Sequence, residues 1–285
     1  VVGFMHKVIN WIKFKIRSYK RERIARRFIF SDLDRPVVKN RVNLHYWRYS
    51  QQVDNVGDLF SKVVVEFMLK KENINPKSRI RGTHHLMAIG SILNHAKHKT
   101  VVWGAGIHDH KMAMPDVSFD IRAVRGPVSR KILIKLGYNC PEVYGDPAML
   151  LPDFFNPGVK KMKEYIIIPH YSKEKKYLDK HDNVITTITS DWKTFIKSIL
   201  EANMVISSSL HGLIIAEAYN IPAILLEDID QDYLKYNDYY FSTGRKQYKK
   251  AKTVEEAIKI GREPIPDFTS MKKGLYKSFP YDLWL

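Results

Sequence analysis

His211 is the residue around which chemistry can most readily be built. It follows three serines in the stretch MVISSSLHGLIIAEAYNIPAILLE (204–227). MVIS reads as a buried strand. The residues from Leu210 onward read as a helix apolar on every side, and therefore buried. Ser207, Ser208 and Ser209 then sit at a helix N-terminus. Free backbone N–H groups, hydroxyls and the positive end of the helix dipole make an anion site there. His211, on the first helical turn, faces the same mouth. An imidazole titrates near neutral pH, so it can move protons on whatever the mouth holds. A plainer reading makes Ser209 a helix cap and His211 a structural histidine. The triple serine at a strand-to-helix turn favours a site.

Two other turns carry similar promise. In FDIRAVRGPVSRKILIKLG (119–137), Arg125 ends a strand, Gly126 allows a tight turn and Pro127 opens a helix. A guanidinium held at a strand end can grip carboxylate or phosphate in bidentate fashion. In DNVGDLF (54–60), Asn55, Gly57 and Asp58 turn tightly into a helix. Asp58 is either an N-cap or a carboxylate aimed at a sugar hydroxyl, and its residue type alone favours the cap. The strand VVWGAGI (101–107) runs into a Gly-X-Gly loop, where backbone at Gly104 and Gly106 can approach a ligand closely. Six of the eleven histidines fall between His84 and His110, without the helical pairing or cysteine partners of common zinc sites, so no metal is expected. The lone Cys140 shows no activating neighbour and cannot form an internal disulfide.

These turns need strands and helices to position them. Strands are expected at 43–48, 86–92, 100–104, 119–124, 141–144, 165–170, 183–188, 204–208 and 222–227. Helices are expected at 58–71, 127–137, 192–202, 210–219, 253–261 and 268–278. Runs such as YIIIPHY (165–171) and IPAILLE (221–227) do not alternate, as befits strands covered on both faces of a parallel sheet. Strands alternating with helices give an α/β chain. The polar, turn-rich stretch 153–164 is placed as a boundary. The expected organisation is a basic segment 1–30, a Rossmann-like domain 31–155 and a second one 156–285, the two facing a cleft. Ligands of such folds bind at the carboxyl ends of strands, where all three turns lie.

The 285 residues carry 47 Lys and Arg against 30 Asp and Glu, a net charge of +17. Hydrophobic residues at 45% and charged residues at 27% exclude a disordered or collagen-like chain. The charge excess implies an anionic partner. Residues 1–27 hold nine Lys and Arg and one acid, Glu22. Their apolar residues precede and interleave with the cations, the reverse of a secretory signal, and charge interrupts them too often to span a bilayer. Trp11, Phe14 and Ile16 among lysines and arginines suit a helix lying on an anionic membrane surface. Met5 is read as the natural start. Aromatic stacking platforms and repeated basic motifs of nucleic-acid binders are not evident, so no nucleic acid is expected.

Taken in order, NVGDLF (55–60), AIGSIL (88–93), VVWGAGI (101–107), RAVRGPVSRKILIKLG (122–137), YGDPAMLLP (144–152), IIIPHY (166–171), ISSSLHGLIIAEAYNIPAILL (206–226) and LKYNDYYFSTGR (234–245) resemble the polysaccharide pyruvyl transferase family. The resemblance spans roughly residues 43–245 and leaves out the basic N-terminus. It implies a fold similar to two-domain GT-B glycosyltransferases, phosphoenolpyruvate as donor substrate with no separate cofactor, and a glycan or lipid-linked oligosaccharide as acceptor. It also implies a bacterial capsule or exopolysaccharide pathway, at the cytoplasmic face of the inner membrane. The family's histidine and strand-end arginine match His211 and Arg125. Some members carry Arg before the Leu-His pair that matches Leu210 and His211, where this chain has Ser209. The donor contact is then expected from Lys235, Arg245 or the serine backbone. Two alternatives stand beside this reading: a nucleotide-sugar glycosyltransferase on the same scaffold, and a non-catalytic anion-binding protein.

Overall fold

Short strands of two to four residues pair side by side to make the frame. The computed structural model describes residues 37–285, apart from Met112 and residues 229–231. The basic segment 1–30, and with it the expected membrane-surface helix, lies outside the described residues. Residues 38–285 form one compact unit. Among the described residues, four strands make a first sheet in the order β1 (Val42–His45), β2 (His84–Met87), β3 (Thr100–Trp103) and β4 (Asp120–Ala123). Four more make a second sheet in the order β5 (Ile166–Ile168), β6 (Val205–Ser207), β7 (Ala223–Leu226) and β8 (Lys250–Ala251). Every pairing is parallel, with registers such as Leu86 to Val101 and Ile167 to Ile206.

Parallel strands need helical crossovers that cover both faces, and the burial follows that rule. β3, β5, β6 and β7 are buried along their length, whereas the edge strands β1 and β4 keep partial exposure. The helices are α1 (Val56–Lys71), α2 (Pro127–Lys135), α3 (Glu174–Leu178), α4 (Trp192–Leu200), α5 (Leu210–Ala218), α6 (Leu234–Ser242), α7 (Val254–Ile260) and α8 (Thr269–Ser278). One continuous core joins the inner faces of the two sheets, running from Phe60 and Trp103 to Ile168, Phe195 and Ile214. Smaller cores back the outer faces, around Val102 and Leu133 on one side and Ile206 and Leu226 on the other. Among the described residues, no helix is long and apolar enough to cross a membrane.

Residues 154–165, which carry no helix or strand, link the two sheets in sequence. The halves are joined at two further places. Val56 N donates to Thr187 O at 2.8 Å, and Asn55 bridges Ile188. At the other end, α8 returns to the first sheet, where Trp103 Nε1 donates to Leu275 O at 2.9 Å and the Trp103 and Phe279 rings meet edge-to-face at 4.7 Å. The two halves are thus tied at α1 and at α8, leaving the strand ends between them to be furnished by loops.

Candidate active site

The triple serine does two jobs. Ser207 and Ser208 are fully buried and their hydroxyls are spent on the neighbouring strand. Ser207 Oγ donates to Ile168 O at 2.7 Å, and Ser208 Oγ accepts from His170 N at 2.8 Å. Ser208 O accepts from the Tyr236 hydroxyl at 2.8 Å, which brings α6 against the same turn. Ser209 occupies the N-cap position of α5 in extended backbone, but its side chain makes no capping bond. The first intrahelical bond runs from Leu213 N to Ser209 O. The N–H groups of Leu210, His211 and Gly212 precede it and point out of the helix mouth.

His211 sits in that mouth between two carboxyl groups. Its Nε2 lies 3.5 Å from Asp146 Oδ2, beyond a good hydrogen bond, and both atoms are buried without a hydrogen-bond partner. The side chain of Asp146 is 1% exposed, and its other oxygen accepts from Ala148 N at 2.9 Å. The opposite edge of the imidazole presses on Gly57, where an added Cβ would stand 2.2 Å from Nδ1. Only glycine leaves room for the ring. The next residue, Asp58, keeps some solvent contact, yet burial of its carboxyl pushes it up to about 6, against the pull of His211 and Lys235. Asp146 reinforces the rise. A carboxyl titrating near neutrality beside an imidazole is a pair that can pass a proton either way.

Basic side chains lie within reach of this group. Lys235, on the first turn of α6, is 7% exposed, and burial brings its ammonium down to about 8, helped by the nearby charge of Arg125. Burial, Lys235 and His108 together push His170 down to about 4. Burial holds His108 below its usual value, with Lys235 adding to the fall. Burial is the main cause of each depression, and the smaller mutual repulsions among Lys235, Arg125, His108 and His170 show that these side chains share one region.

Arg125 stands at its expected strand end but points inward. It is fully buried, with Nε donating to Asp238 Oδ2 at 3.0 Å, one terminal nitrogen to Ser91 Oγ at 2.6 Å and the other to Ile107 O at 2.7 Å. Gly106 makes room for it, since a Cβ there would stand 2.5 Å from the guanidinium carbon, while Gly104 packs on Pro147. The Gly-X-Gly loop therefore accommodates protein atoms. Asn55 is the cap of α1, accepting from Gly57 N at 3.1 Å, which frees Asp58 from the capping role its type suggests. Arg245 is turned elsewhere, in a bidentate pair with Glu217 at 2.7 and 2.8 Å over the Tyr240 ring. Burial pushes the Cys140 thiol up to about 11, so it is inert at neutral pH.

Asp58, His211 and Lys235 are thus brought together, and Arg125 backs Lys235. Sequence reasoning passed over Asp146, His108 and His170. The signal for His170 was present: it directly follows the buried run IIIP at the end of β5, the same placement that singled out Arg125. Asp146, in the turn YGDP, reads as punctuation. Among the described residues, no group of three or more His, Cys, Asp or Glu side chains is placed to hold a metal ion.

Comparison with known proteins places the whole chain rather than its individual residues. The profile of the family described as polysaccharide pyruvyl transferase matches residues 8–228, more than three quarters of the chain. It begins inside the basic segment that the sequence motifs left out, and it stops before 234–245. The chain is 28% identical over 226 residues to the uncharacterized protein L143 of Acanthamoeba polyphaga mimivirus, covering 73% of this chain and 78% of that protein. It is 27% identical over 205 residues to the succinoglycan biosynthesis protein ExoV of Rhizobium meliloti, covering 62% of this chain and 57% of that protein.

Proposed function

The chain belongs to the polysaccharide pyruvyl transferase family, and from that premise we propose that it moves pyruvate from phosphoenolpyruvate onto two hydroxyls of one sugar, forming a ketal and releasing phosphate. The observation that carries the reading is one helix mouth where Asp58, His211 and Asp146 meet, with the buried Lys235 within electrostatic reach of Asp58. Phosphoenolpyruvate is small and strongly anionic. Lys235 and the N–H groups of Leu210, His211 and Gly212 would hold it.

The reaction needs proton traffic in both directions. The methylene carbon takes a proton, which leaves an oxocarbenium-like centre at the carbon bearing the phosphate. One sugar hydroxyl adds there and loses its proton. The C–O bond to phosphate breaks and phosphate departs. The second hydroxyl closes the ketal and gives up its proton. Of the two hydroxyl protons, the new methyl group keeps one and phosphate carries off the other. Asp58, raised to about 6, and His211 are the proton carriers, and Asp146 orients the imidazole. A glycan or lipid-linked acceptor fits the family description and the succinoglycan pathway named for ExoV. The basic segment 1–27 would hold the enzyme at an anionic membrane face where such acceptors are displayed.

The test is a calorimetric titration of phosphoenolpyruvate and of a nucleotide-sugar panel into wild type and Lys235→Met, which removes the charge but keeps the length. Saturable binding of phosphoenolpyruvate, lost in the variant, supports the reading. Binding of a nucleotide sugar with indifference to phosphoenolpyruvate replaces it with glycosyl transfer. Vesicle flotation with and without residues 1–27 checks the membrane contact, and unchanged flotation removes it.

A further inference from the structure

An aromatic cluster stands at the edge of this site and takes no part in the chemistry above. Trp47 and Tyr49 lie in the loop after β1, and Tyr171 opens a short 3-10 turn (Tyr171–Lys173) that follows β5, so both halves of the protein contribute. The Trp47 and Tyr171 rings are stacked, with centroids 5.5 Å apart and planes at 29°. Tyr49 stands edge-on to both, at 5.8 Å from Tyr171 and 6.3 Å from Trp47. Tyr49 is 45% exposed and Tyr171 37% exposed.

The cluster is held in place. Trp47 packs on the outer core of the first sheet. Its loop is tied by Arg48 to Asp54 at 2.7 Å, and Asp54 accepts from Ser190 Oγ at 2.9 Å. Tyr171 follows His170, whose N–H bonds Ser208 and whose ring lies 4.4 Å from the tyrosine ring. The platform is therefore joined through one residue to the serine turn and the cationic region. The charge of Asp58, after burial, also raises the Tyr171 phenol above its ordinary value, so it remains a hydrogen-bond donor. Rings this large, fixed and open to water mark a surface that is covered when the protein works.

We propose that Trp47, Tyr49 and Tyr171 form the acceptor subsite, stacking the C–H face of a pyranose ring beside the proton-handling trio. The inference rests on the pyruvyl-transfer reading for its choice of ligand. A pyranose presents a face of weakly positive C–H groups and a rim of hydroxyls. An aromatic face is electron-rich and attracts the first, and phenolic hydroxyls at its edge bond the second. Tyrosine and tryptophan also offer wide contact with few rotatable bonds, so little entropy is lost on binding. A stacked sugar here directs its neighbouring hydroxyls toward Asp58 and His211. This makes the platform the determinant of which sugar is modified.

The experiment uses the full chain with cellobiose, cellotetraose and a galactose-terminated oligosaccharide as probes, read by saturation-transfer NMR and calorimetry. Phosphoenolpyruvate is titrated in parallel. Tyr171→Leu and Tyr49→Leu keep apolar bulk but remove the aromatic face, and Tyr171→Phe keeps it. Circular dichroism checks each fold. The expected result is saccharide binding in the wild type, weakened about tenfold by either leucine variant and largely kept by Tyr171→Phe, with phosphoenolpyruvate affinity unchanged. Equal saccharide binding in wild type and leucine variants overturns the inference. So does a wild type that binds phosphoenolpyruvate but no saccharide, or a leucine variant that loses both ligands together. Saccharide binding that needs the aromatics, in a chain indifferent to phosphoenolpyruvate, keeps the subsite and removes the donor assignment instead.

Discussion

Two buried pairs of ionisable side chains in this protein are built in opposite ways. Arg125 and Asp238 are both fully buried and meet at 3.0 Å. Asp238 also accepts from Ser129 N at 2.9 Å and Ser129 Oγ at 2.6 Å, while Arg125 donates to Ser91 and Ile107. Nothing in this pair is left over, and it locks α2 to α6. Asp146 and His211 are nearly as buried, yet they stand 3.5 Å apart with the facing atoms unpartnered. A buried polar atom without a partner costs about 1–3 kcal/mol. Burial and an ionisable partner on each side are common to both pairs. What separates them is satisfaction: the closed pair serves the fold, and the open pair keeps an interaction in reserve for a proton or a substrate.

The widest gap between the two should appear when each loses one member. Asp238→Ala strands the Arg125 charge in the core and is expected to cost about 3–5 kcal/mol in urea unfolding. His211→Ala should leave the unfolding midpoint nearly in place and lower turnover about 10³–10⁴-fold. If His211→Ala unfolds the chain while Asp238→Ala does not, the assignment of the two pairs is inverted.

Asp58 offers the next largest effect, and its sign runs against intuition. Its carboxyl is raised from 3.8 to about 6 by burial, so the folded state holds the proton more tightly than the unfolded one. The favourable contribution of the protonated form is complete below about pH 4 and is lost as the pH rises through 6. Asp58→Asn removes that loss. It should gain about 2–3 kcal/mol of stability at pH 8, none below pH 4, and lose turnover. Thermal melts across pH decide it; a gain that does not depend on pH would mean that Asp58 is not desolvated.

Asp146→Asn tests the open pair itself. The amide keeps the shape and the bond from Ala148 N, but it can no longer accept a proton-bearing imidazole as an ionised partner. Turnover should fall about 10–100-fold, with a displaced pH profile and little change in phosphoenolpyruvate affinity. An unchanged pH profile would make Asp146 a helix cap and nothing more.

The contrast between the pairs also explains what the sequence could reveal. α5 was readable over 210–219 because an unbroken apolar run follows three serines, and the structure places it at Leu210–Ala218. α6 was not, because its buried side is Lys235, Tyr236, Asp238 and Tyr239, residues that carry no apolar period. Those same residues complete the closed pair and supply the buried lysine. Segments 141–144 and 183–188 look like strands but contribute single bridges, at Tyr144 and at Val184 and Ile188. β8 is two residues long and has no pattern to find. Asp146 escaped because its partner is distant in the chain, and pairing across folds leaves no local trace. The turn that carries His211 is legible because strand, serines and helix are all local. Arg125 was located correctly, but whether a strand-end guanidinium faces a ligand or an internal carboxylate depends on Asp238, which the strand pattern cannot show.

His170 gives the smallest effect and the finest test. It is a third kind of group: titratable, largely buried and kept neutral chiefly by that burial, with the cations around it adding to the effect. Burial, then Lys235, His108 and Lys173, push it from 6.5 down to about 4. Its neutral form is the one the fold accepts, so the stability it contributes is full above pH 6.5 and is lost as the pH falls toward 4. At pH 5.5 the loss is about 1 kcal/mol. His170→Asn should flatten this acid limb without changing stability at pH 8 by a comparable amount. Lys235→Met should move the limb to higher pH, toward the ordinary histidine range, because the second-largest cause of the depression has gone. If the limb is the same with and without Lys235, the two side chains do not share one field, and the cationic half of the site must be drawn around Lys235 and Arg125 alone.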